Sequence, residues 1–237
     1  MFYSEKIENE ICVLNSEESK HCISVLRHRT GDIVDVFGRS GEIYTAKIIN
    51  DSTKECVLNV IDKKPVYKRP EFLHIAIAPT KNVDRFEWFV EKAVEIGIEE
   101  ITPLFSEHSE RKVLNMERID KIVVSAMKQS LNLSFPKINQ PVEFKDFIRM
   151  KSTAQKCIAY CEEKNITFAE TIAARKPVLS MIGPEGDFTK QEVEAAISKG
   201  FIPVSLGRNR LRTETAGIVS CAIFQCVTGR FGLDKSK

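Results

Sequence analysis

From residue 73 onward, short runs that are apolar at nearly every position alternate with longer stretches in which apolar residues recur at helical spacing. The runs are Leu73 to Ala78, Glu100 to Phe105, Cys157 to Tyr160, Val178 to Ile182 and Ile202 to Leu206. A strand with water on one face alternates polar and apolar residues, whereas a strand that is apolar throughout is buried on both faces. Between the runs, residues 83–97 place Phe86, Phe89, Val90, Ala93 and Ile96 on one helical face and stop at Gly97. Residues 116–131, 189–199 and 213–228 read as further helices. Thr189 and Glu192 stand at capping-box spacing, and Gly200 ends that helix. Buried strands separated by helices predict an α/β fold with a parallel sheet covered on both faces.

The first seventy residues follow a different period. Gly31 to Phe37, Glu42 to Ile49 and Cys56 to Ile61 are short strand candidates, separated by the turn chemistry of Gly38-Arg39-Ser40-Gly41 and the break at Asp51-Ser52. Such a pattern predicts a small barrel or sandwich. A short helix precedes it, with an N-cap offered within Ser16-Glu17-Glu18-Ser19. The polar, basic stretch from Asp62 to Pro70 holds two prolines, which resist helix and central strand alike. It divides the chain into domains 1–70 and 71–237.

Composition removes several classes of function. With 35 basic and 33 acidic side chains the formal charge is only +2, so any affinity for nucleic acid rests on local clusters rather than on a polycationic surface. No apolar run approaches a membrane span, and the N-terminal residues lack the apolar core of a signal peptide. Seven scattered cysteines without metal-ligand spacing suit reduced, buried thiols in the cytoplasm and no metal. Cys157 and Cys161 fall on the same side of a strand but are not a C-x-x-C pair.

Two loops concentrate chemistry. Ile182-Gly183-Pro184-Glu185-Gly186-Asp187-Phe188 leaves a buried strand and opens a helix, the place where open α/β sheets bind ligands. Its two carboxylates disfavour a polyphosphate and suit a neutral or cationic ligand, although a plain strand-to-helix turn would read the same way. The second loop is Leu206-Gly207-Arg208-Asn209-Arg210-Leu211-Arg212-Thr213-Glu214-Thr215-Ala216. Its three arginines are either a solvated basic turn capped by Thr213 or a meeting of ligand-binding backbone with phosphate-binding cations. The helix after it is apolar almost all round and must be buried, in the core or against another subunit.

Together the two loops resemble the signature of the RsmE family of SPOUT-class RNA methyltransferases, G-P-E-G-G-F followed by L-G-x-R-I-L-R-x-E-T-A. Lys92-Ala93-Val94-Glu95-Ile96-Gly97 is similar to the family's K-A-x-E-L-G element, and Ile101-Thr102-Pro103-Leu104, Gln129-Ser130, His21 to Arg27 and Gly31-Asp32 fit its pattern. The chain departs from that pattern at Asp187, at Asn209-Arg210, at Asn132 and at His108.

The resemblance implies a knotted SPOUT methyltransferase domain, parallel-sheet α/β in class, preceded by a small PUA-like β-barrel. It implies methylation of uridine N3 in 16S ribosomal RNA, with S-adenosylmethionine as donor, by a cytoplasmic homodimer acting on the 30S subunit. The alternatives are modification of another RNA nucleotide, or RNA binding without catalysis by an assembly factor. The donor is expected on Ile182, Gly183, Pro184, Glu185, Gly186, Leu206, Gly207, Leu211, Thr215 and Ala216. RNA is expected on Arg27, Arg29, Arg208 and Arg210. Arg212 and Glu214 form the expected catalytic set. Arginine keeps its proton at neutral pH, so Arg212 would stabilise the uridine anion rather than act as a base. His108 is a further candidate base.

Overall fold

The computed structural model describes residues 1–64, 71–132, 134–160, 166–172 and 176–229. Contacts between residues group the chain into two units, Met1–Lys68 with Met127–Phe135, and Arg69–Ala126 with Pro136–Lys237. The proline-containing linker at 65–70 and Cys161 lie outside the described residues.

The first unit is built on one six-stranded sheet. Its elements are β1 (Phe2–Tyr3), β2 (Lys6–Glu8), β3 (Ile11–Val13), α1 (Ser16–Lys20), β4 (Ile33–Phe37), β5 (Ile43–Asn50) and β6 (Val57–Lys64), in sheet order β1-β4-β5-β6-β3-β2. Every pairing is antiparallel except β1 with β4. Alternation sends Val34 and Val36 of β4, Ala46 and Ile48 of β5 and Leu58 of β6 into one core with Phe2, Cys12, Cys22 and Cys56. Register shifts at Thr45/Ala46 and Ile48/Asn50 bend the long β5–β6 pair, as bulges do. The cap of α1 is Asn15, whose side chain accepts from the Glu18 amide. The sequence placed it one residue later, but the asparagine has the extended backbone a cap requires. The helix then widens into one π-type turn over His21–Val25. Glu18 is buried there and takes a 2.6 Å ion pair from Lys128.

The second unit holds β7 (Leu73–Ile77), α2 (Val83–Ile96), β8 (Glu100–Phe105), α3 (Met116–Ser130, whose last turn is grouped with the first unit), β9 (Lys137–Ile138), β10 (Val142–Glu143), α4 (Phe144–Phe147), β11 (Gln155–Ala159), β12 (Ile166–Thr167), α5 (Phe168–Thr171), β13 (Val178–Ile182), α6 (Lys190–Ser198), β14 (Ile202–Ser205) and α7 (Thr213–Val227). The sheet runs β10-β8-β7-β13-β11-β14-β12, with β9 paired to β8, and every pairing is parallel. The central strands bury both faces: all five residues of β13 are buried. The five apolar runs all form strands of this sheet. The short β9, β10 and β12 and the one-turn helices α4 and α5 are too brief to leave a periodic signal.

The helices end where local chemistry ends them. Asn82 caps α2, and Gly97 closes it in the left-handed conformation, φ 104°. Gln225 of α7 donates to the Ile96 and Gly97 carbonyls at the same end, satisfying groups that a helix terminus leaves open. Thr189 and Glu192 form the full capping box of α6. Gly217 brings α7 onto α2: a Cβ there would meet the Phe89 ring at 2.4 Å.

Candidate active site

The two chemistry-bearing loops leave the carboxyl ends of β13 and β14. Both strands pair with β11, Ala159 lying opposite Ile182 on one side and Val204 on the other. The loops therefore rise either side of one central strand. A buried hydrogen bond joins them, from Thr213 Oγ1 to the Gly183 carbonyl at 3.0 Å. The threonine does not cap α7. Arg212, in extended conformation, occupies the cap position without a side-chain bond.

Local bonds set the first loop. The Asp187 amide donates to the Pro184 carbonyl at 2.9 Å, closing a tight turn. Asp187 itself sits at φ 63°, a conformation that glycine adopts freely and aspartate tolerates better than most residues. Its Oδ1 accepts from the Phe188 amide at 2.8 Å. Aspartate can thus stand where the family signature has its second glycine. His108 spans the same turn, its Nδ1 lying 3.1 Å from the Gly186 carbonyl and 3.0 Å from that of Asp187. Both partners only accept, so Nδ1 holds a proton and donates. His108 is thereby a brace for the loop. Gly186 packs against it, with room for a Cβ only 3.1 Å from that of His108.

A second brace comes from the segment after β7. The Lys81 amide donates to Glu185 Oε1 at 3.0 Å, while Arg111 clamps the Lys81 carbonyl through Nε and Nη2 at 3.1 and 2.9 Å. The second loop is held by Ser205, whose hydroxyl accepts from the Gly207 amide and donates to the Gly207 carbonyl. Gly207 lies at φ 141° with open space where a Cβ would be.

Between the loops lies a cavity of about 980 Å³, at the upper end of the range for small-molecule sites. Of the residues expected to hold a methyl donor, Ile182, Gly183, Pro184, Glu185, Leu206, Gly207, Leu211 and Ala216 line it. Arg208, Arg210 and Arg212 stand exposed at its rim. Tyr160 and Thr167 also line it. Sequence reasoning missed both, though each follows or ends a strand on the same edge of the sheet as the loops. Gly186 and Thr215 lie outside the lining. Glu214 and Thr215 face an adjoining cavity of about 630 Å³ that shares Arg210, Leu211 and Arg212. Arg27 and Arg29 belong to the first unit. Arg27 is exposed at φ 61°, and Arg29 donates to the Ile23 and His28 carbonyls, closing the turn after α1. Among the described residues no group of three or more His, Cys, Asp or Glu is placed to hold a metal ion, and no helix is long and apolar enough to cross a membrane.

The chain matches the RNA methyltransferase domain family over residues 68–225 and the RNA methyltransferase PUA domain family over residues 14–69. It is 31% identical over 232 residues to ribosomal RNA small subunit methyltransferase E of Buchnera aphidicola, covering 94% of this chain and 90% of that one. A crystal structure of a probable rRNA-methyltransferase from Porphyromonas gingivalis superposes with a TM-score of 0.90 at 39% identity, covering 97% and 98% of the two chains. The ribosomal RNA small subunit methyltransferase E of Neisseria gonorrhoeae, solved bound to S-adenosyl methionine, superposes with a TM-score of 0.82 at 25% identity over 95% and 96%.

Proposed function

This chain belongs to the ribosomal RNA small subunit methyltransferase E family, and on that premise we propose that it methylates N3 of a uridine in 16S rRNA with S-adenosylmethionine as donor. The observation that supports this most directly is the 980 Å³ cavity between the two signature loops. Its chemistry fits the donor. Ile182, Leu206 and Leu211 offer apolar surface to an adenine ring. Glycine backbone at 183 and 207 allows close approach. Glu185 offers carboxylate oxygens to ribose hydroxyls or to an ammonium group. Two carboxylates in one loop also favour a cationic sulfonium ligand over a phosphate.

When bound, S-adenosylmethionine supplies an activated methyl carbon, so the protein's task is to position the acceptor and stabilise the charge that develops on it. Arg212, at the rim shared by both cavities, directs a permanent cation towards that region and serves uracil O2 or O4 as N3 loses its proton. Glu214 faces the acceptor side. Arg208 and Arg210 meet RNA phosphates, and Arg27 and Arg29 do the same from the PUA-like domain. N3 lies on the pairing edge of uracil, so the target is an unpaired or flipped base.

The PUA-like domain spans residues 1–70 and the methyltransferase domain residues 71–237, the latter with the family's trefoil knot. The protein works as a cytoplasmic homodimer on the small ribosomal subunit. Support for the dimer comes from α7, which leaves Ile218, Val219, Ala222 and Ile223 only partly covered.

The test is methyl transfer to 30S subunits from a strain lacking the modification, with mass mapping of the product. A single N3-methyluridine in 16S rRNA is the expected product, and a methyl group on any other atom overturns the assignment. Arg212→Ala is expected to lose turnover while binding of the donor, measured by calorimetry, is retained. Full activity in that variant removes Arg212 from the catalytic set.

A further inference from the structure

The 630 Å³ cavity beside the donor cleft has a wall that the methyl-donor reading does not use: Asp84, Arg85 and Trp88 from α2, facing Glu214 and Thr215 of α7. Trp88 is the chain's only tryptophan. It stands 44% exposed, on a helix that buries Phe86 and Phe89 almost completely. Trp88 stands off the buried face of that helix, beside Asp84 and Arg85, and leaves a large aromatic surface in water.

Across the cavity, Glu214 is 7% exposed, and its Oε2 has no hydrogen-bond partner among the described residues. Its other oxygen is 3.9 Å from Arg85 Nε, beyond hydrogen-bond range. A buried carboxylate oxygen without a donor is costly, and a ligand that supplies an N–H removes that cost.

The polar groups that line the cavity with Trp88 include both donors and an unpartnered acceptor. Arg85 and Arg212 can only donate, and Glu214 Oε2 is an acceptor with no donor among the described residues. The complement is a base edge that offers an N–H together with carbonyl acceptors, as the N3–H and two carbonyls of uracil do. Cytosine offers a bare N3 and an amino group instead, setting an acceptor against the carboxylate. The shared wall of Arg210, Leu211 and Arg212 puts a base held here directly beside the donor cleft.

We propose that this cavity is the acceptor-base pocket, in which Trp88 stacks the unpaired uracil, Glu214 Oε2 accepts from N3–H, and Arg85 and Arg212 donate to the flanking carbonyls. The proton held by Glu214 is the one that must leave before methylation. It passes to the carboxylate, and the electron pair stays on N3 to form the new bond to carbon as the sulfur–carbon pair returns to sulfur. This assignment rests on the uridine reading given above and adds its source of base selectivity.

The sole tryptophan makes the pocket directly observable. The full-length protein with S-adenosylhomocysteine is titrated with a single-stranded RNA hexamer containing one uridine, and with the same hexamer carrying cytidine there. Saturable quenching of Trp88 fluorescence by the uridine hexamer, at least about tenfold tighter than by the cytidine one, is the expected result. Glu214→Gln should reduce that preference. In turnover, Trp88→Ala should lower kcat/KM for RNA by roughly tenfold or more with donor affinity unchanged, and Trp88→Phe should restore most of it.

Equal responses to the two hexamers, or a Trp88 signal that follows protein concentration and not RNA, overturn the pocket; the second result gives the face to another copy of the chain. Methylation of 30S subunits assayed in parallel separates this assignment from the broader one. Turnover with a silent Trp88 overturns the pocket and leaves the methyltransferase reading intact. A uridine-selective quench without turnover supports the pocket and counts against that reading.

Discussion

Single atoms decide the packing of this site. Gly217 lies in the first half of α7, where alanine would gain about 1 kcal/mol of helix propensity. A Cβ there would, however, come within 2.4 and 2.6 Å of two Phe89 ring carbons and 3.0 Å of Ile77 Cδ1. Phe89 and Ile77 are fully buried, so neither can swing aside, and overpacking of this kind costs roughly 1–3 kcal/mol. Steric cost wins, and Gly217→Ala is expected to lower the urea midpoint by about 1–2 kcal/mol equivalent at constant m. A more stable variant would show that the α2–α7 contact is loose. Asp187 gives the converse case. It takes a positive φ without a glycine because its own Oδ1 meets the next amide, which makes the departure from the family signature a conservative one.

At the scale of elements, caps and braces fix where the loops point. The Thr189–Glu192 box does more than start α6, because Glu192 Oε1 also accepts from the Glu107 amide at 2.9 Å. One carboxylate thus ties the helix after the first loop to the turn that presents His108. Thr189→Ala removes the cap bond from the Glu192 amide and the hydroxyl's bond to Glu192 Oε2, and about 1 kcal/mol of stability should go with them. Glu192→Ala removes charge-assisted bonds to two backbone amides from a buried position and should cost more. Denaturant unfolding of the two variants tests that order, and equal losses would remove Glu192 from its linking role. The α6 box was legible as a three-residue spacing. The Glu107 bond was not, because it joins residues 85 apart in sequence.

For the molecule as a whole, stability is coupled to pH through a half-buried polar group far from the loops in sequence. His74 Nε2 lies 2.7 Å from Thr102 Oγ1, which also accepts from Asn139. Burial pushes the His74 pKa down to about 4, only partly opposed by nearby Glu100. An unfolded chain takes up that proton near pH 6.5 and the folded one does not, so stability falls as pH drops from about 6.5 to about 4. His74→Gln should flatten the fall in urea midpoint across that window, and an unchanged slope would assign it to other groups. The sequence by itself determined the class of fold, because strands apolar on both faces need helices over each. It also determined the two loops, because their residues are contiguous. Tertiary structure alone decided that Thr213 locks the loops together instead of capping a helix, that His108 braces a turn, and that Trp88 faces Glu214 across a cavity. These are contacts between segments distant along the chain. Local periodicity reports only which residues share a face of one element, so no spacing rule could have brought those pairs together.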